Sequence, residues 1–273
     1  MAGPPARAAG EVERVTGRAR GSGSHDQVEG RNPVIEALRG PREVYEIYLA
    51  TVADRSDEVE EIVSLAQGAG VPVRDASKNR IDAMARTRAP QGVIAMVEPF
   101  RYLDLAGALE LVEKSPCPLV LALDGIEDPQ NLGAVIRVAE TSGVDVVLVP
   151  RKRASGVTAV VAKASAGAVE HVAVAHISSL PAALERLRSE GLFVAGADAL
   201  GEAPYWDVDM TGPLAVVLGS EGRGLARLVR EKCDVLVSLP MAGRVTSLNV
   251  ATTGAVLLFE AVRQRSGCSK NRS

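Results

Sequence analysis

Three stretches of the chain group polar residues densely enough to do chemistry. Residues 124–137 read DGIEDPQNLGAVIR and pass from an apolar run into a helical one. Asn131 offers an amide that can fix a hydroxyl, and Arg137 a guanidinium that can grip a phosphate through two parallel hydrogen bonds. A capping Asn followed by a solvated Arg accounts for the same pair without any ligand. Residues 218–225 read LGSEGRGL, with glycines at 219, 222 and 224. Such glycines let a backbone approach a ligand or take up positive φ, and a tight strand-to-helix turn is the alternative. Glu221 is badly placed for a phosphate but suited to pair with a cation or accept from a hydroxyl. Residues 239–251 read LPMAGRVTSLNVA and set Ser247 and Asn249 at the head of an apolar helix. Helix capping explains one of those two residues; it does not require the whole string.

Several other chemistries are absent. The chain holds no GxxxxGK[ST], no GxGxxG after a strand, no HExxH and no GxSxG, so phosphate-loop, common dinucleotide, zinc-protease and serine-hydrolase readings fall away. His171 and His176 flank an apolar strand and read as structural; His25 is the third histidine. Cys117, Cys233 and Cys268 are odd in number, far apart and without CxxC. That suits a reduced, cytoplasmic compartment and neither a disulfide framework nor a metal site.

The elements that must position these residues follow from the apolar pattern. Residues 28–98 read as a compact α/β unit. Asn32 caps a helix with Pro33 at its first position, and strands are expected at 44–49, 71–73 and 92–97, with helices near 59–66 and 78–86. Residues 99–116 form a linker with one short helix. From 117 to 273 uninterrupted apolar strands at 119–123, 144–149, 169–175, 192–197, 214–218 and 235–239 alternate with helices near 131–142, 157–166, 180–190, 224–232 and 247–264. This rhythm argues for a mostly parallel sheet covered on both faces. Ligands bind such sheets beyond the carboxyl ends of the strands, so the loops after Leu123, Ala197, Leu218 and Leu239 are where chemistry belongs.

Composition sets the outer limits. The 273 residues are 47% apolar and 24% charged, which is ordinary for a globular chain. No apolar run approaches the roughly 18 residues of a spanning helix, so no membrane partner is expected. Aromatic residues are only 3%, leaving a core of Ala, Val, Leu and Ile and few base-stacking platforms. A net charge of -3 excludes a histone-like protein but not local RNA-binding patches, such as the basic loop Arg151, Lys152 and Arg153. The stretch before residue 28 is rich in Ala, Gly, Arg and Ser and reads as a disordered tail that is solvated or touches RNA. A transit peptide is a weaker alternative because of Glu11 and Glu13, and the start lacks the apolar core of a signal peptide.

Taken together, the order N-x-G-x-x-x-R (131–137), G-S-E-G-x-G-L (219–225) and L-P-M-x-G-x-x-x-S-L-N-V (239–250) resembles the signature motifs of the SpoU (TrmH-type) RNA ribose 2′-O-methyltransferases of the SPOUT superfamily. The resemblance extends over residues 28–265. Gly30-Arg31-Asn32-Pro33-Val34, Glu36-Ala37-Leu38 and Gln91-Gly92-Val93 look like the family's substrate-binding domain, which is similar to ribosomal protein L30e. Phe259 to Arg265 closes the chain as in bacterial 23S rRNA guanosine-2′-O-methyltransferases. Two positions depart from the family pattern: Pro90 stands where a His is frequent, and Ala251 where a Ser is frequent.

The resemblance implies an α/β fold with a SPOUT-type parallel sheet and a C-terminal trefoil knot, preceded by the smaller L30e-like domain. It implies S-adenosyl-L-methionine, held by Gly196 and the loop that follows it, Gly219, Leu239, Met241 and Leu248. It implies RNA, with 23S rRNA foremost, as substrate and a homodimer whose sites borrow from the partner subunit. Arg137 matches the residue proposed to activate the ribose 2′-hydroxyl. Because a guanidinium stays protonated, a more conservative role is to hold the adjacent phosphate while the proton leaves to phosphate or water. Asn131, Ser247 and Asn249 would position ribose, Arg137 and cofactor, and Glu221 would orient a donor or Arg137. A tRNA substrate is an alternative, as is a non-catalytic RNA-binding protein on this fold.

Overall fold

Near the N-terminus a short central strand organises the structure. In chain order come β1 (Asp26–Glu29), α1 (Arg31–Arg39), β2 (Val44–Ala50), α2 (Asp57–Ala69), β3 (Val73–Ala76), α3 (Lys78–Met84) and β4 (Val93–Val97). The sheet order is β1-β4-β2-β3, with β4 antiparallel to β1 and β2, and β3 parallel to β2. Side chains alternate across a strand. Val93, Ala95 and Val97 therefore pack with Val34, Ile62 and Ala66, while Ile94 meets Ile81 of α3 on the opposite face. This computed structural model describes residues 25–51, 56–152, 154–244 and 246–270. The tail before residue 25 and Arg153 lie outside the described residues.

The second sheet is wholly parallel. It is built from α4 (Leu105–Lys114), β5 (Leu119–Asp124), α5 (Pro129–Thr141), β6 (Val146–Pro150), α6 (Ala159–Ala164), β7 (Ala173–Ile177), α7 (Leu180–Ser189), β8 (Phe193–Ala197), β9 (Ala203–Pro204), β10 (Leu214–Gly219), α8 (Arg227–Arg230), β11 (Val235–Ser238) and α9 (Val250–Lys270). The strand order is β7-β6-β5-β10-β8-β11-β9. Leu119, Leu121 and Leu123 face a layer that includes Ile136 of α5 and Leu258 of α9, and Val120 and Ala122 face one that includes Val112 of α4 and Leu184 of α7. Both faces are covered, which is why the strands read as unbroken apolar runs. Among the described residues no helix is long and apolar enough to cross a membrane.

Several element ends differ from the expectation, each for a local reason. Helix α1 starts at Arg31, not after an Asn32 cap: Gly30 takes φ 98°, and the Gln91 Oε1 accepts from the Arg31 N–H at 3.0 Å. The two N-terminal motif segments are therefore joined by a cap supplied from outside the helix. Strand β3 begins at Val73 because Val71 still belongs to the end of α2. Gly70 is left-handed, and the Val71 N–H donates to the Ala66 carbonyl at 2.8 Å, the pattern of a Schellman terminus. Strand β7 begins at Ala173, four residues late, because Ala166 (φ 53°) and Gly167 (φ 88°) turn the chain and a short 3-10 turn spans Ala168–Glu170. Helix α8 holds only four residues.

The two sheets are joined through buried charge. The Glu170 side chain is 0% exposed and Arg42 8%. Arg42 Nε donates to Glu170 Oε2 at 2.7 Å, a second guanidinium nitrogen donates to Oε1, and the third to the Glu98 carbonyl at 3.2 Å. The guanidinium also lies 5.5 Å from the Phe100 ring centre. His171 Nε2 sits 2.7 Å from Glu36 Oε2, and Tyr102 stacks on His176 with ring centres 3.5 Å apart. Both histidines thus serve packing at the junction. Leu103 extends the sheet edge by pairing with Ala175.

Removing one partner of a buried ion pair leaves the other charge without compensation. Arg42→Ala should lower unfolding stability by about 3–5 kcal/mol, with Arg42→Ala/Glu170→Ala costing less than the two single changes summed. Denaturant unfolding measures this, and an unchanged midpoint for Arg42→Ala would contradict it.

Candidate active site

The start of α5 settles what Asn131 is available for. Pro129 occupies the first helical turn and the Asp128 carboxylate accepts from the Gln130 N–H at 3.0 Å. Asp128 is the cap, so the Asn131 side chain has another partner. Asn249 Nδ2 donates to Asn131 Oδ1 at 2.9 Å and to Glu221 Oε1 at 2.5 Å. The Asn249 amide cannot flip, because its Oδ1 accepts from the Ala251 N–H at 2.8 Å and so caps α9. Glu221 Oε1 also accepts from the Val250 N–H at 3.3 Å. Its negative charge therefore rests at the positive end of a 21-residue helix.

The glycine-rich loop is a tight crossing of chain on chain. A Cβ on Gly219 would lie 2.3 Å from the Gly224 carbonyl carbon and 2.4 Å from its oxygen. Gly222 and Gly224 have φ of 79° and 64°, values that other residues adopt only with strain. The Gly224 N–H donates back to the Ser220 carbonyl at 2.9 Å, and Asp124 Oδ2 accepts from the Ala226 N–H at 2.7 Å. All three glycines are explained by the turn itself. The turn carries Glu221 to Asn249.

Beyond the carboxyl ends of β8, β10 and β11 lies a cavity of about 580 Å³, within the usual range for a small-molecule site. Gly219, Glu221, Leu239, Met241, Ser247, Leu248 and Asn249 line it. Met241 and Leu248 are 36% and 40% exposed, and both border the cavity. Bare backbone at Gly219, apolar side chains and a polar rim suit a ligand with one flat apolar part and one charged part, as S-adenosyl-L-methionine has.

Three candidate residues stand elsewhere. Gly196 is turned from the cavity: a Cβ there would meet Cys233 Sγ at 2.6 Å and Leu225 Cδ1 at 2.8 Å. Its thiol neighbour is pushed up to about 11 by burial, then by the charge of Asp234, so Cys233 supplies no thiolate at neutral pH. Ala197, Asp198 and Ala199 line the wall in place of Gly196. Asp198 is held there by Arg230 at 2.7 Å. Asn131 joins the cluster through its hydrogen bond without lining the cavity. Arg137 is exposed, has no ion pair among the described residues and does not line the cavity. It lies about 9 Å further along α5 than Asn131 and about 120° around the helix from it. Ser220, Thr246 and Thr253 also line the wall. They lie in or beside the motif segments, but their types alone gave no signal.

Comparison with known proteins gives consistent results. The family model described as SpoU rRNA Methylase family matches residues 118–259, and the one described as RNA 2′-O ribose methyltransferase substrate binding matches residues 27–103. YacO of Bacillus subtilis (strain 168), named for the TrmH family of tRNA/rRNA methyltransferases, is 40% identical over 245 residues, covering 89% of this chain and 98% of that protein. An uncharacterized tRNA/rRNA methyltransferase of Mycolicibacterium vanbaalenii is 39% identical, covering 95% of this chain and 83% of the relative. Among solved structures, an RNA 2′-O ribose methyltransferase is similar with TM-score 0.73 and 27% identity, over 88% of this chain and 89% of the other. The SpoU methyltransferase AviRb from Streptomyces viridochromogenes, in complex with AdoMet, has TM-score 0.73 and 25% identity, over 89% of this chain and 91% of the other.

The crossing at Gly219 yields a direct test. Gly219→Ala forces the Gly224 backbone away and displaces the loop that walls the cavity. Affinity for S-adenosyl-L-methionine should fall at least about tenfold, or ~1.4 kcal/mol, by calorimetry. Wild-type affinity with an intact fold would show that the loop does not shape the ligand site.

Proposed function

The chain belongs to the SpoU family of S-adenosyl-L-methionine-dependent RNA 2′-O-ribose methyltransferases, and on that premise we propose that it methylates the ribose of a guanosine in 23S rRNA, in the cytoplasm and as a homodimer. The observation that carries the catalytic part is the Asn131–Asn249–Glu221 cluster at the rim of a ligand-sized cavity. The rRNA part rests on the substrate-binding match and on the motif-like segment from Phe259 to Arg265. We further propose the division into a tail (1–27), an RNA-binding domain (28–98), a linker (99–116) and a catalytic domain (117–273) whose C-terminal part is knotted.

When bound, the cofactor supplies an electrophilic methyl group that needs no activation by the protein. The chain's task is to place and deprotonate the 2′-hydroxyl. Both N–H groups of the Asn249 amide are used, on Asn131 and Glu221. Among the described residues, the donors left free in the cluster are the two N–H groups of Asn131, whose Oδ1 is occupied. They can donate to a ribose oxygen, and Glu221 Oε2 remains as an acceptor beside them. Ser247 borders the same opening and adds a hydroxyl. Leu239, Met241, Leu248 and Gly219 form the cofactor wall. Arg137 holds the phosphate next to the reacting ribose through its planar guanidinium, and the 2′-hydroxyl proton passes to that phosphate or to water. Alignment of this kind supplies several orders of magnitude in rate. Because Arg137 stands apart from the cavity of its own chain, it serves the cavity of the partner subunit.

Arg137→Ala should abolish transfer of labelled methyl groups to ribosomal RNA while leaving cofactor affinity unchanged, and Arg137→Lys should not rescue it, lacking the planar fork. Wild-type turnover in the Ala variant would remove the assigned role. Mapping 2′-O-methyl groups in ribosomal RNA with and without the gene tests the substrate.

Sharing between subunits has its own signature. Arg137→Ala and Asn249→Ala chains, each inactive alone, should regain about a quarter of wild-type activity when mixed and reassembled equally, since half the dimers then carry one complete site. No recovery from a demonstrated mixed dimer would place Arg137 in its own subunit's site, and a monomer by light scattering would contradict the dimer.

A further inference from the structure

The described cations of the N-terminal unit fall into two groups. Arg31, Arg39, Arg42 and Arg74 meet the carboxylates of Glu58, Glu36 with Glu61, Glu170 and Glu46 respectively. Lys78, Arg80, Arg86 and Arg88 are exposed and join no ion pair among the described residues, although Asp75 and Asp82 are close in sequence. Arg80 lies over the Tyr48 ring, 5.6 Å from its centre. Among the described residues of this unit, arginine and lysine side chains without an ion pair are thus confined to α3 and to the segment between α3 and β4.

That segment is exposed yet firmly anchored. Beneath it lies Glu29, 0% exposed. Its carboxylate accepts from the Arg86 N–H at 2.5 Å, the Thr87 N–H at 3.0 Å, the Thr87 hydroxyl and Gln27 Nε2 at 2.8 Å. These donors compensate its burial. From the other sheet, Lys163 of α6 donates to the Ala89 carbonyl and to Thr87 Oγ1 at 3.3 Å. Gln91, at φ 56°, pins the far end by capping α1. The backbone is therefore held at 86, 87, 89 and 91, while the side chains of Arg86 and Arg88 remain exposed.

The same ties connect this segment to the active site. Lys163 precedes Ala164, whose Cβ lies 2.5 Å from where a Cβ on Gly133 would stand. Helix α6 thus lies on α5 with only the Ala164 methyl group at the contact, two residues from Asn131. Arg86 also borders a cleft of about 210 Å³ between the two units, shared with Thr158 and Ala162.

We propose that residues 85–91 form a phosphate-contact ridge for the substrate RNA, in which Arg86 and Arg88, flanked by Lys78 and Arg80, grip the strand at a fixed offset from Asn131. This rests on the RNA-methyltransferase reading and adds to it the place where the RNA backbone is held. Contacts of this type set register and orientation without reading sequence. Glu29 and Lys163 are positioning residues for the ridge.

The test uses the full chain and a transcript of the ribosomal RNA that it methylates, since the shared junction makes truncation unsuitable. Arg86→Ala/Arg88→Ala should weaken RNA binding and reduce the slope of log affinity against log salt by roughly 1.4 to 1.8, two released contacts at single-strand to duplex values. Cofactor affinity and unfolding temperature should not change. Arg86→Lys/Arg88→Lys should keep most of the slope. Lys163→Met, which retains the aliphatic stem, should raise KM for RNA with KM for cofactor unaltered. Parental RNA affinity and slope in the double Ala variant would overturn the ridge while leaving the enzyme reading intact. A parent chain that binds cofactor but neither binds nor methylates RNA would overturn both.

Discussion

The last helix must satisfy the N–H groups of its first turn, and the way it does so gathers the candidate active site. Asn249 caps α9 with its side-chain oxygen, which fixes the direction of its amide nitrogen. That nitrogen then draws in Asn131 from the head of α5 and Glu221 from the loop after β10. Glu221 gains further from the helix dipole. One capping requirement thus joins three segments far apart in sequence. The remainder of the C-terminal sheet can be understood as what brings those three ends to one place. Strands β5 and β10 run side by side and parallel, so the loops that follow them emerge together.

Close approach is the second requirement. Gly219 and Gly133 each stand where any side chain would collide with neighbouring backbone or side chain, at 2.3 Å and 2.5 Å. The first lets the loop carrying Glu221 fold across its own strand and leaves open backbone on the cavity wall. The second lets α6 lie directly on α5. In both places a missing side chain serves the distance between chain segments, and the ligand site benefits as a consequence.

Burial of charge decides how the two sheets sit. Glu170 and Glu29 are both wholly inside, and each is compensated by hydrogen bonds that converge on it, a guanidinium for Glu170 and backbone and side-chain donors for Glu29. Losing either set would leave a carboxylate uncompensated in a low-dielectric interior. The Arg42–Glu170 contact crosses between the sheets and holds the N-terminal unit at one orientation, whereas the donors to Glu29 come from Gln27, Arg86 and Thr87 and brace that unit from within.

The sequence by itself determined the fold class and pointed to the loops after Ala197, Leu218 and Leu239, which border the cavity, and to the loop after Leu123, which meets them through Asn131 without bordering it. Unbroken apolar runs such as 119–123 and 214–218 need cover on both faces, and parallel sheets place their sites beyond the carboxyl ends. Both rules are local or topological, and both are legible in residue order. What it did not determine were partners. That Asp128 rather than Asn131 caps α5, that Gln91 caps α1 in place of Asn32, and that Gly196 faces Cys233 while Asp198 faces the cavity depend on atoms brought together only by folding. The same holds for Arg42, which in composition is one more basic residue and in space is the buried partner of Glu170, and for Arg137, which its motif groups with Asn131 and the helix turns away from it. Periodicity is carried by neighbours in sequence, whereas a hydrogen-bond cap or an ion pair needs an acceptor within about 3 Å, and which acceptor that is only the tertiary structure decides.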